Sequence, residues 1–62
     1  MNPGDRVIYH GGLGWNRVHA TVVRAAIEFN PRGHEDIDGF WVRPDGWDHD
    51  HFVAASELER AP

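Results

Sequence analysis

A chain of 62 residues without cysteine has room for one small domain, and neither disulfides nor a thiolate zinc site can stabilise it. Ten carboxylates against six arginines give a formal charge of −4, which disfavours binding driven by nucleic-acid phosphates. The sequence shows no apolar run of the roughly 20 residues that span a membrane, and no signal peptide. The composition predicts a single soluble domain, residues 1–62, complete as given and located in a reducing cytoplasm.

The first predicted strand covers residues 6–10. Alternation along it places Val7 and Tyr9 on one face and Ile8 on the other, together with polar side chains. The next six residues contain three glycines, which are too flexible for a strand interior. They therefore predict a long loop, which carries Trp15.

The second predicted strand, residues 17–29, alternates apolar and polar side chains and changes phase once, at Val22-Val23. The apolar residues are Val18, Ala20 and Val22 before this point, and Val23, Ala25, Ile27 and Phe29 after it. Keeping both sets on one core requires one extra residue, a β-bulge, near the junction. The pattern predicts a bent strand of the kind with which a small barrel turns a corner.

The next segment, residues 30–39, combines Pro, Gly and three acids, and predicts a mobile polar loop. A third strand is predicted at residues 40–43. Residues 44–46 fit a type I turn that leads into a fourth strand within residues 47–54. These last two strands are expected to form a hairpin.

Near the end, Ser56 is a candidate N-cap for a single helical or 3₁₀ turn that places Leu58 in the core. The predicted order is a strand, a glycine-rich loop, a bent strand, a hairpin and a terminal turn with a buried leucine. This is the order of an SH3-like barrel. We therefore predict an all-β fold, a small SH3-like barrel of about five strands with a short 3₁₀ turn near the C-terminus.

Three segments resemble the plasmid-encoded type II dihydrofolate reductases: Gly4-Asp5-Arg6-Val7, Trp15 before the second strand, and residues 53–60. That family is an SH3-like barrel that assembles into a homotetramer around a central pore, so the resemblance implies a homo-oligomeric enzyme that binds folate and nicotinamide. The family's Val-Gln-Ile-Tyr motif falls on Asp50-His51-Phe52-Val53, and none of its residues is present. The resemblance implies the fold, and reductase activity is an alternative function.

Three tryptophans in so short a chain exceed what one small core can hold, so some aromatic surface is expected to be exposed beside acidic residues. Such a surface typically binds a partner, because Trp, Tyr and Arg dominate interface hot spots. We predict a protein-interaction module or small regulator with neither catalytic activity nor a cofactor. The predicted partner-binding residues are Trp15, Trp41, Arg43, Trp47, Asp48, His49 and His51.

Two further interpretations concern nucleic acid and metal. Arg17, Arg24 and Arg43 could line neighbouring strands of a nucleic-acid-binding barrel, although the acidic charge argues against it. His49 and His51, at i and i+2 of a strand, are a weak ligand pair and are interpreted as polar residues on the solvent face, so no metal is predicted. The expected partner is a protein, homo-oligomers remain open, and no membrane contact is expected.

Overall fold

Antiparallel strands account for most of the residues that the structure, a computed structural model, describes, which are 1–10 and 17–62. The strands are β1 (Arg6–Tyr9), β2 (Val18–Asn30), β3 (Glu35–Pro44), β4 (His51–Ala54) and β5 (Leu58–Arg60), with a 3₁₀ turn at Ala55–Glu57. The all-β prediction, the strand number and the 3₁₀ turn near the C-terminus are confirmed.

All five of these strands form one sheet in the order β4-β3-β2-β1-β5. Strand β1 lies between β2 and β5, so the end of the chain returns to its beginning, while β4 and β5 form the edges of the sheet. The finer assignment as an SH3-like barrel stays a prediction. Across the described residues, no helix has the length and apolar character needed to cross a bilayer.

The predicted bulge in β2 is confirmed. Val22 pairs with Val42 and Arg24 pairs with Trp41, which leaves Val23 as the extra residue. Because one residue is added, Ala25 returns to the face that Val22 occupies. The change of phase in the sequence therefore marks the bulge itself.

The prediction of a mobile loop at residues 30–39 is wrong. Strands β2 and β3 pair as far as Asn30 and Glu35, so the turn is confined to residues 31–34, where His34 adopts a positive φ of 52°. Acidic residues are compatible with β3 because most of its first positions face solvent. We call the part of this hairpin beyond the body of the sheet, residues 25–38, the distal arm.

The core is small and rich in valine. It contains Val7, Ala20, Val22, Val42, Val53 and Leu58, with Met1, Tyr9 and Phe40 packed against it. The burial of Leu58 was predicted correctly. The core lies on one face of the sheet, and we call the opposite face the outward face.

Three large apolar residues of β2 that were expected on the core are exposed, and the burial of Ile8 was not predicted. The first of the three, Val23, is 38% exposed because it is the extra residue of the bulge. Ile27 and Phe29 remain 66% and 61% exposed although they continue the core face of β2, because the distal arm extends past the residues that cover this face. Ile8 is 2% exposed although it lies opposite Val7, on the face where its strand neighbours are His19 and Glu59. Apolar alternation fixes the face of a side chain but not what covers it.

Substitution of Gly39 tests the packing between β3 and β4. A Cβ atom at this position would overlap the carbonyl oxygen of Val53 and lie 2.7 Å from Cζ of Phe52. We expect Gly39→Ala to lower the free energy of unfolding by about 2 kcal/mol, as overpacking of a core does. Thermal unfolding followed by circular dichroism should show a Tm lowered by about 10 °C.

Gly33→Ala is the matched control. Its Cβ would meet the end of the flexible Glu35 side chain at 3.0 Å, which can move away. We expect little change of Tm for this variant. Equal Tm values for the two variants would contradict the close approach at Gly39.

Candidate functional site

The predicted contact residues occupy three places: the outward face of β3, the segment between β3 and β4, and the start of β4. In that order they are Trp41 and Arg43; Trp47, Asp48 and His49; and His51. Trp15 lies outside the described residues. The predicted contact residues that the structure describes therefore do not all lie in one surface patch.

Aromatic rings cluster at the end of the sheet around His51. The centroid of the His51 ring lies 5.9 Å from that of Trp47 and 6.0 Å from that of Tyr9, and Trp47 also lies 5.0 Å from the His49 ring. Because His51 pairs with Val42, its side chain points to the core face and is half-buried. His49 is exposed to solvent, as interpreted from the sequence, but the placement of His51 on the same solvent face of one strand is wrong, since β4 begins only at His51.

His49 forms its closest polar contact with its neighbour. Its Nδ1 lies 2.8 Å from Oδ1 of Asp48, and this hydrogen bond lowers the pKa of the Asp48 carboxyl below its usual value. The Asp48 side chain is 99% exposed. Within residues 1–10 and 17–62, no cluster of three or more His, Asp or Glu side chains is arranged to hold a metal ion.

A groove of about 440 Å³ lies beside the bulge and brings Arg43 and Trp47 together. Its other lining residues are Thr21, Val23, Pro44, Asp45, Gly46 and Asp50. Arg43 Nε donates a 2.9 Å hydrogen bond to Oδ1 of Asp50 within it. The groove thus combines an aromatic ring, an apolar side chain and oriented charges.

The rim of this groove is held by Arg6. Its Nη1 and Nη2 donate to the two carboxylate oxygens of Asp45 at 2.9 and 2.6 Å, and Nη1 also donates to Thr21 Oγ1 at 2.7 Å. The hydrogen bond from Arg6 lowers the pKa of the Asp45 carboxyl, and the same bond raises the pKa of Arg6. The amide of Asp45 donates to the carbonyl of His19 at 2.9 Å. Side-chain and backbone contacts therefore fix the rim to β1 and β2.

Trp41 lies on the outward face, outside the residues that line the groove. The guanidinium of Arg24 lies 5.3 Å from the centre of its ring, and the Phe52 ring contacts it edge-on at 5.8 Å. Trp41 and Trp47 therefore belong to different side-chain clusters. Sequence reasoning grouped them because both flank the same predicted turn.

Six groove residues were not among the predicted contact residues: Thr21, Val23, Pro44, Asp45, Gly46 and Asp50. The sequence did contain an indication for Val23, because it lies at the predicted bulge, and a bulge often changes the direction of a side chain next to a functional site. The sequence gives no such indication for the two carboxylates. Asp45 is positioned by Arg6, which lies 39 residues away in the sequence, and Asp50 by Arg43 across the β3–β4 connection.

Comparison with known proteins identifies no relative: no protein-family model, no curated protein and no solved structure matches this chain. Function must therefore be argued from the geometry and chemistry of the site. The groove beside the bulge is the feature in which predicted contact residues and charged side chains meet.

The contact between Arg6 and Asp45 predicts how stability depends on pH. Because the folded-state pKa of Asp45 is lowered, its carboxylate stabilises the folded state above the unfolded pKa of about 4, and this contribution is lost as the pH falls through the lowered pKa. We expect Asp45→Asn to destabilise the protein at pH 7 and progressively less as the pH falls below 4. Urea unfolding across this range measures the difference.

Asp38→Asn is the matched control, because Asp38 is an exposed acid on β3. It should leave the difference from the wild type small at every pH. A destabilisation by Asp45→Asn that stays constant between neutral and acid pH would contradict the assignment.

Proposed function

We propose that this chain is a small protein-interaction domain that binds an extended segment of a partner protein in the groove beside the bulge. The observation that carries the proposal is the meeting of Trp47, Val23, Arg43 and Asp50 in one open groove. Interfaces are enriched in Trp and Arg at their energetic centres, and a concave lining of mixed polarity suits a peptide that brings both apolar and polar groups.

The charged groups of the groove are already oriented. Arg43 is held by Asp50 and Asp45 is held by Arg6, so little side-chain freedom is lost when a partner docks. Arg43 uses Nε in its bond to Asp50, and its terminal nitrogens can donate to backbone carbonyls of a bound segment. These groups fix the direction of the segment, while Trp47 and Val23 supply apolar contact.

The acidic character of this end of the sheet indicates the partner's charge. Asp48 follows Trp47 directly and is fully accessible. A segment with an apolar residue against Trp47 and a basic residue next to it would satisfy both features. We propose that the partner carries this pair.

Ion pairs at three exposed arginines favour a protein partner over a nucleic acid. Arg17 lies 3.3 Å from Glu59, and Arg43 and Arg6 contact Asp50 and Asp45. Phosphates would have to displace these carboxylates, in a chain whose formal charge is −4. A protein segment could bind without displacing these carboxylates, because it needs only the hydrogen-bond donors that the ion pairs do not use.

Selection of peptides from a random displayed library tests the proposal. Peptides that bind the wild type should share an apolar residue adjacent to Lys or Arg, and Trp47→Ala should raise their Kd about 30-fold, as loss of a hot-spot Trp does. Arg43→Ala should weaken the same peptides. Circular dichroism confirms that each variant is folded.

Trp41→Ala is the matched control, because Trp41 lies outside the groove lining. The proposal requires that this variant bind the selected peptides nearly as well as the wild type. Loss of binding in Trp41→Ala with retention in Trp47→Ala would move the site from the groove to the cluster of Trp41, Arg24 and Phe52. Titration with dihydrofolate, a nicotinamide cofactor or single-stranded RNA should give no binding, and saturable binding of any of these would contradict the proposal.

A further inference from the structure

The distal arm presents an unpaired strand edge. Strand β1 pairs with β2 only up to Thr21, and the backbone of Val22 bonds to Gly4 and Asp5. Residues 24–30 pair with β3 on one side, and within the described ranges 1–10 and 17–62 no strand pairs with them on the other. This free edge is seven residues long. An exposed apolar edge of this kind can accept another strand.

The direction of the backbone groups along this edge follows from Val22. Its amide donates to Asp5 and its carbonyl accepts from Gly4, so both groups point away from β3 while its side chain faces the core. Side-chain face and hydrogen-bond direction both alternate with period two. After the bulge, Ala25, Ile27 and Phe29 occupy the same face as Val22, so their amides and carbonyls point to the free edge.

The same three residues are apolar. Ile27 and Phe29 are 66% and 61% exposed, and Ile27 lines a shallow groove of about 590 Å³ together with Ala25, Phe40 and Asp38. Thus the three residues whose backbone groups point to the free edge, Ala25, Ile27 and Phe29, also have apolar side chains on the core face. A strand paired at this edge would bury these backbone groups and these side chains together.

We infer that the occupant of this edge is a second copy of the same chain, paired antiparallel about a two-fold axis at Ile27. In this register Ile27 lies opposite its own copy, and Ala25 lies opposite Phe29 at both ends. A large side chain therefore meets a small one, and all three facing pairs are apolar. About six backbone hydrogen bonds form, two for each of these pairs.

Two features of the edge favour a second copy over an unrelated strand. Ile27 is the midpoint of residues 24–30, so this register alone pairs the free edge of β2 along its whole length. Such an isologous contact closes at the dimer and cannot propagate into a filament. On the inner face, the two β2 segments then form one apolar strip, which Asp36 and Asp38 of each β3 strand border.

The size and charge of the contact define its strength. Two seven-residue edges bury less than the about 1,200 Å² of a stable interface, so the dimer forms at high micromolar protein concentration and dissociates on dilution. Each copy carries a formal charge of −4, and Glu28 of one copy lies diagonally across from Glu28 of the other on the outward face. Salt should therefore strengthen the dimer, whereas it would weaken binding of a basic segment.

Cysteine cross-linking tests the register directly, because the chain has no other thiol. Opposed residues of a hydrogen-bonded antiparallel pair have Cα atoms about 5.5 Å apart, within the range of a disulfide. Under a glutathione redox buffer, Ile27→Cys should form a covalent dimer. Phe29→Cys should not, because its two copies lie more than about 13 Å apart. A mixture of Ala25→Cys and Phe29→Cys should form the mixed dimer.

Ile37→Cys is the control for random collision, since Ile37 lies on β3 and pairs with Glu28, away from the free edge. Equal cross-linking at positions 27 and 37 would overturn the inference. Cross-linking of Phe29→Cys with itself in preference to Ile27→Cys would also overturn it, because this requires another register.

Sedimentation velocity on the unmodified chain supplies an independent measurement. We expect the mass-averaged sedimentation coefficient to rise with concentration and with salt, Ile27→Lys to abolish the rise, and Glu28→Gln to increase dimer formation at least threefold. Ile37→Lys should preserve or increase the rise, because it places a cation directly opposite Glu28 of the same chain and outside the paired edge. A monomer at every concentration up to the millimolar range overturns the inference, and because none of these residues lines the groove at Trp47, that result leaves the proposed function untouched.

Discussion

The extra residue Val23 is the constraint on which the rest of the structure depends. It places Val22 and Ala25 on one face although an odd number of positions separates them, so the apolar face of β2 continues from the core to the end of the distal arm. The register shift also divides β2 into a half that pairs with β1 and a half that does not. Val23 itself is 38% exposed and forms part of the groove wall. One residue thus positions both proposed contact surfaces.

The small size of the core explains why so much aromatic surface remains accessible. Valines at four core positions leave little volume between the packed parts of the sheet, so larger rings are placed at its rim or on its outward face. Tyr9 and Phe40 pack at the border of the core, while Trp41 and Phe52 contact each other on the other side. The absence of a side chain at Gly39 leaves space for the Phe52 ring.

The sequence predicted the elements of the fold better than their surroundings. The phase change at Val22-Val23 located the bulge because period-two alternation is a local property of a strand. The distal arm was missed because acids and glycine at residues 33–39 resemble a loop, although exposed strand positions tolerate them. Likewise, Arg43 and Trp47 were predicted as contact residues, but Asp45 and Asp50 join them through hydrogen bonds to Arg6 and Arg43 that residue spacing does not reveal.

The two proposed surfaces are arranged so that each leaves the other accessible. The groove is lined by Val23 and by residues near the β3–β4 turn, whereas pairing would use the backbone of Ala25, Ile27 and Phe29 on the far edge of the arm. A pair of chains would therefore present two grooves related by a two-fold axis. A partner with two binding segments could engage both, and the second contact would then occur at an effective concentration set by the length between the segments. Weak pairing and a modest groove affinity would together give a contact that forms only where chain and partner are both concentrated.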